Sequence, residues 1–174
     1  ISARQPMKAP YKVYEKGDTI DDRYDVLRRC AGGMGYVYIV FDHVENKSYA
    51  IKTINETLIE LGDFLHRFTR EAETWISLGA EAPHENIVSA VEFRSQQVPP
   101  LLFLEYVDGI SLQRLLSYEP QGLAISEAVR FASQIARGLA HAHCHGRGAR
   151  RCVVHRDLKP GNIMISRQRI AKIT

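Results

Sequence analysis

The 174-residue chain holds 45% hydrophobic and 25% charged residues, enough apolar material for one substantial core or two small ones and too much for a disordered segment. Its 23 Lys and Arg against 20 Asp and Glu give a net charge of +3 spread along the chain, so no nucleic-acid partner is expected. The densest basic patch, Arg147 with Arg150 and Arg151, is short.

Three cysteines, Cys30, Cys144 and Cys152, are odd in number and far apart, which fits a reducing, cytoplasmic setting rather than a disulfide framework. The longest apolar run, within LLFLEYV, falls far short of the ~20 residues that span a bilayer. No membrane segment is therefore expected in this chain, and an anchor elsewhere in a longer parent is compatible with that. The start at Ile1 and the missing polar tail read as excision from such a parent.

Residues 1–21 hold two prolines, several lysines and no periodicity, and are expected to be a tail. RYDVLRRC, YVYIVFDH and KSYAIKTI follow as three runs rich in β-branched and aromatic residues, separated by AGGMG and VENK, the pattern of an antiparallel meander. In DFLHRFTREAETWISL, Phe64, Phe68, Ala72, Trp75 and Ile76 recur at helical spacing, with Asp63 as the expected N-cap. NIVSAVEF and PLLFLEYV predict two more strands, turned at Pro99–Pro100. Five strands and one helix then make a first lobe over residues 22–107.

Beyond VDGIS, where Gly109 is expected to break the strand, the pattern turns helical over residues 108–174. SLQRLLSY is short. SEAVRFASQIARGLAHAH carries Ala128, Phe131, Ala132, Ile135, Leu139 and Ala142 on one stripe, with Ser126 as its expected cap.

Three groups of residues carry chemistry. In AGGMG, Gly32 and Gly35 let backbone N–H groups approach an anion, although a glycine hairpin without a ligand reads the same way. Lys52 in YAIK sits on a half-buried strand and needs a partner, which Glu71 on the following helix can supply. HRDLKPGN places Asp157, Lys159 and Asn162 within six positions. An aspartate there suits accepting the proton of an attacking hydroxyl, the lysine suits neutralising a transferring phosphoryl group, and the asparagine suits offering a neutral oxygen to Mg²⁺.

The order of glycine loop, YAIK, helix glutamate, HENIV, LEYVDG and HRDLKPGN resembles the eukaryotic-like protein kinase family, most closely its bacterial serine/threonine branch. The resemblance covers roughly residues 22–174. It implies an α+β, two-lobed fold with ATP and Mg²⁺ in the cleft and protein Ser/Thr hydroxyls as substrates.

By the same resemblance, Gly32, Gly33 and Gly35 cover the phosphates, and Val37, Ala50 and Met164 sandwich the base. Glu105 and Val107 offer backbone groups beside Leu104 as gatekeeper, and Asp108 or Ser111 lies near the ribose. Lys159 favours serine/threonine over tyrosine specificity, and Gly161 argues against strict selection for arginine upstream of the target.

Three departures from the family pattern stand out. Cys30 occupies the place of the first loop glycine, as a tolerated small residue or a redox-sensitive thiol. HAHCHGRGARRCVVHRD is about four residues longer than the family's usual join, and His141, Cys144, His145 and Cys152 form a candidate zinc set, against the plainer reading of packed or solvated side chains.

The third departure is the end of the chain at KIT, where family members continue into Asp-Phe-Gly. On that ground the chain as written is expected to be inert, and its uncovered helical stripe to favour instability or self-association. A nucleotide-binding pseudokinase or regulatory scaffold is the alternative to an enzyme.

Overall fold

The computed structural model describes residues 11–60, 62–81, 83–144 and 153–174. In chain order the elements are β1 (Thr19–Ile20), β2 (Tyr24–Gly32), β3 (Gly35–Asp42), β4 (Lys47–Ile54), α1 (Glu56–Glu60), α2 (Gly62–Glu81), β5 (Ala90–Arg94) and β6 (Leu101–Glu105). They continue with β7 (Gly109–Ser111), α3 (Leu112–Tyr118), α4 (Ile125–Cys144), a 3-10 turn (Pro160–Asn162), β8 (Ile163–Ser166) and β9 (Ala171–Ile173). A six-stranded antiparallel sheet runs in the order β1-β2-β3-β4-β6-β5, and a three-stranded one in the order β7-β8-β9.

Alternation along β3 and β4 builds the larger sheet. Tyr38 and Val40 with Tyr49 and Ile51 point to one face, where they join Ile20, Tyr24, Val26, Leu101 and Phe103 in a buried core. Ile54, Leu102 and Leu104 point to the other and receive Phe68 and Ala72 of α2, with Trp75 and Ile76 partly buried beside them. The run Leu101–Leu104 is unbroken because β6 is covered on both faces.

The fold differs from the sequence expectation in several places. β1 adds a sixth strand to the five expected, and α1, capped by the Asn55 side chain accepting from Leu58 N at 2.9 Å, adds a second helix to the lobe. The described part of the expected tail is docked on the sheet: Tyr14 meets Tyr38 edge to face at 5.6 Å, and the Tyr11 hydroxyl donates to the Ile54 carbonyl. Two tyrosines supply apolar area that the lysine- and proline-rich composition concealed.

Helix starts also move. α2 begins at Gly62, so Asp63 lies in the first turn, where its charge still favours the helix N-terminus. α4 begins at Ile125, and the Ala124 carbonyl accepts from Glu127 N and Ala128 N, so Ser126 is not its cap.

Around the smaller sheet, Leu115, Phe131, Ile163, Ile165, Ala171 and Ile173 form the core, with Ile135 and Leu139 partly buried. Ala128 and Ala132 are exposed, because α4 turns Phe131, Gly138 and Ala142 inward instead. Gly109 opens β7 rather than ending a strand.

Residues 86–89, expected to begin a strand, instead tie the two sheets together. Asn86 is fully buried; its carbonyl accepts from Ile173 N at 2.9 Å and its Nδ2 donates to the Ala171 carbonyl at 3.0 Å. Val88 N donates to the Ile173 carbonyl at 2.8 Å. These bonds satisfy main-chain groups that a strand partner would otherwise have satisfied.

One buried charge supports the larger sheet. Asp42 is fully buried and receives Arg23 in a two-pronged contact at 2.6 and 2.9 Å, together with the amides of Val44 at 2.8 Å and Glu45 at 3.2 Å. The Arg23 guanidinium, ahead of the amides, holds the Asp42 carboxyl down at about 2.

A lowered folded-state pKa means stability that is present above the ordinary carboxylate range and lost as pH falls through about 2. Asp42→Ala is expected to destabilise by about 2 kcal/mol at neutral pH. It should also flatten acid unfolding between the ordinary carboxylate range and pH of about 2. Equal slopes of stability against pH for the two proteins would contradict this.

Candidate active site

The glycine-rich turn is the tip of the β2–β3 hairpin, closed by the pair Gly32↔Gly35 with Gly33 and Met34 between them. A Cβ on Gly35 would run into the Thr53 carbonyl, so the residue must be glycine for the hairpin to lie against β4. Asn55 N donates to the Met34 carbonyl at 3.2 Å and holds the tip down.

Cys30 pairs with Val37, Val37 with Lys52, and Lys52 with Leu102 across four neighbouring strands. Directly paired residues share a face, so Cys30, Val37 and Lys52 line one row. Ala50 and Leu104, two residues along their strands, are paired with each other on the same face.

That face carries α2. Lys52 Nζ lies 3.1 Å from Glu71 Oε1, with side chains 32% and 53% exposed. At such exposure the pair adds little to stability, and its effect is to fix where the ammonium sits. The ammonium also stands 6.0 Å from the centre of the Trp75 ring.

The second half of the site is the turn His155–Asn162. Arg156 adopts a left-handed φ of 63° that reverses the chain. His155 Nδ1 accepts from Asp157 N at 3.3 Å, so its Nε2 carries the proton it donates to the Thr174 carbonyl at 3.1 Å. Thr174 N donates to the Asn162 carbonyl at 3.0 Å.

Asp157 Oδ2 receives Lys159 Nζ at 2.7 Å and Asn162 Nδ2 at 3.0 Å. Lys159 first and Asn162 second hold the Asp157 carboxyl below the usual carboxylate range. Because Asn162 Nδ2 also donates to the Asp157 carbonyl at 2.8 Å, its amide oxygen is turned away from Asp157. That amide oxygen is a hard donor of the kind that suits Mg²⁺.

The remaining expected positions fall on both sides of the join between the sheets. Met164 faces away from the core that holds Ile163 and Ile165, on the same side of the strand pair as Lys172, with which it is paired. Lys172 in turn forms an ion pair with Glu105 at the end of β6. The Glu105 amide donates to the Ser89 carbonyl at 2.9 Å.

Val107 packs partly buried against the α2-side core. Asp108 turns toward Arg167, at 2.9 Å, and Ser111 caps α3 by accepting from Arg114 N at 3.2 Å.

Of the candidate zinc residues, His145 and Cys152 lie outside the described residues, as do Arg147, Arg150 and Arg151. The His141 ring lies 4.7 Å from the His84 ring, and Cys144 is exposed. Among the described residues no three His, Cys, Asp or Glu side chains converge on a metal position.

Sequence reasoning passed over Asn86, Lys172, and the Trp75 indole as a hydrogen-bond donor. Only the isolated indole inside HRFTREAETWISL signalled the last, since tryptophan on a buried helix face needs a partner for its N–H.

The structure thus sets out a glycine hairpin, a lysine–glutamate pair and an aspartate–asparagine turn as the parts of a candidate site. A family model described as "Protein kinase domain" matches residues 30–174, and the chain belongs to that family. It is 33% identical over 159 residues to serine/threonine-protein kinase PrkC of Bacillus subtilis, covering 91% of this chain and 23% of PrkC.

It is 34% identical over 149 residues to serine/threonine-protein kinase pkn2 of Myxococcus xanthus, covering 85% of this chain and 16% of that protein. It is 29% identical over 159 residues to serine/threonine-protein kinase PknB of Mycolicibacterium smegmatis, covering 88% and 24%. The chain thus spans about a quarter or less of these relatives' length. No helix among the described residues is long and apolar enough to cross a membrane.

Proposed function

We propose that this chain carries the ATP- and Mg²⁺-binding part, and the proton-accepting aspartate, of a serine/threonine protein kinase. The observation that supports this most is the hydrogen-bonded continuity between the two halves of the site. Glu71, which holds Lys52, shares α2 with Trp75, and Trp75 donates to the Val88 carbonyl; Val88 N donates to Ile173, and Thr174 N donates to Asn162, which in turn donates to Asp157.

Bound Mg²⁺–ATP supplies the phosphoryl group and the cation that neutralises its oxygens. The Gly32, Gly33 and Gly35 backbone covers the phosphates, and Lys52, held by Glu71, gives them a fixed positive charge. Val37, Ala50 and Met164 enclose the base, beside Leu104 and the backbone of Glu105 and Val107, with Asp108 toward the ribose.

Asn162 turns its amide oxygen to the metal ion. Asp157 Oδ1 accepts a hydrogen bond from the substrate Ser or Thr hydroxyl and orients it. Asp157 takes that proton as the new P–O bond forms. Lys159 offsets charge on the moving phosphoryl group.

The test is transfer of the γ-phosphate from Mg²⁺–ATP to protein Ser or Thr by the full-length protein, with the modified amino acid identified. Lys52→Met is expected to lower kcat/KM by about 100-fold, the loss of one preorganised charge. A full-length protein that binds no Mg²⁺–ATP, or a Lys52→Met variant as active as the native one, would end the reading.

A further inference from the structure

We propose that Trp75 is a positioning residue for the phosphate-binding lysine, giving Lys52 a second contact beside Glu71; this rests on the reading of Lys52 as an ATP ligand.

Trp75 follows Glu71 by four residues in α2, so the two side chains stack on one face of the helix. Lys52 reaches both: its Nζ is 3.1 Å from Glu71 Oε1 and 6.0 Å from the Trp75 ring centre. The second distance lies at the limit over which an indole face attracts an ammonium group. A carboxylate alone would leave the flexible lysine stem free to swing about a single contact. The ring supplies a second one.

The indole has a second contact that gives it leverage. Its Nε1 donates to the Val88 carbonyl at 2.7 Å. Val88 is buried, and its own amide donates to the Ile173 carbonyl at 2.8 Å. Ile173 is followed by Thr174, whose amide holds the Asn162 carbonyl at 3.0 Å.

One tryptophan therefore fixes the rotation and height of α2 against the segment that also holds the Asp157 turn. Phenylalanine would keep an aromatic face and lose the hydrogen bond, and leucine would lose both.

Trp75 is the only tryptophan among these 174 residues, so the emission of the 174-residue chain, on which the fluorescence comparison is made, reports on this spot. Two measurements decide the matter, with thermal unfolding run alongside to identify variants that fold. Calorimetric titration with Mg²⁺–ATP is expected to give a dissociation constant about 3-fold weaker for Trp75→Phe and about 10-fold weaker for Trp75→Leu. If Trp75→Leu does not fold, Trp75→Phe carries the comparison.

Lys52→Met, with no nucleotide present, is expected to shift or brighten the Trp75 emission by removing the neighbouring cation. A purely structural tryptophan would lower the melting temperature and leave the ATP affinity of the folded variants unchanged. That result, or identical emission from native protein and Lys52→Met, overturns the proposal. Native protein that binds no Mg²⁺–ATP overturns the reading of the whole site, and the nucleotide-free emission then still decides whether Lys52 and Trp75 touch.

Discussion

Asp157→Asn is expected to lower phosphoryl transfer by the full-length protein about 1000-fold, within the range that a positioned proton acceptor contributes. Mg²⁺–ATP affinity should stay within about 3-fold. The substitution keeps the size of the side chain and removes the charge that orients a hydroxyl.

Its cost in stability should be small, since Asp157 and Lys159 are 58% and 55% exposed and such a pair is screened by water. The Asn162 amide keeps its bond to the Asp157 carbonyl, so the turn itself should survive. Phosphotransfer within a few-fold of the native rate would show that another group takes the proton. A large fall in melting temperature would show instead that the carboxylate is a structural strut.

Gly138→Ala gives a sharper structural test because two effects oppose each other in sign. Alanine in the middle of a helix is favoured over glycine by ~1 kcal/mol. At this position, however, the added Cβ would stand 2.8 Å from the Asn86 carbonyl oxygen and 3.0 Å from Ile173 Cδ1.

The isoleucine methyl can rotate away, whereas the carbonyl is held by Ile173 N at 2.9 Å. Overpacking against a backbone group that cannot retreat costs ~2–3 kcal/mol, the upper part of the usual range, and outweighs the propensity gain. The net expectation is a destabilisation of about 1–2 kcal/mol, read as a lower melting temperature. An unchanged or raised melting temperature would mean that α4 and the Asn86 segment are less tightly apposed than their geometry requires.

Much of this architecture was legible in the chain because it depends on local periodicity. The strands of KSYAIKTI and YVYIVFDH follow from alternation, and α2 follows from Phe68, Ala72 and Ile76 at helical spacing. HRDLKPGN could be read as a site because its three polar side chains are close in sequence and therefore close in space.

What was misread has a common cause. Ser126 looked like a cap, but the helix begins one residue earlier, at Ile125. Asn86 to Val88 read as strand, and the partner that draws those residues out of the larger sheet, Ile173, lies far along the chain.

The sequence by itself determined most types of element, the candidate residues for chemistry, and the pairing of a strand lysine with a helix glutamate, because these rest on spacing and on the cost of an unpaired charge. Only the tertiary structure decided how the two halves of the site are joined. Asn86 is buried against β9, Lys172 reaches across to Glu105, and Trp75 is anchored on Val88. Each is a contact between residues distant in sequence, formed because a buried polar group must find a partner and takes the one that packing brings within reach.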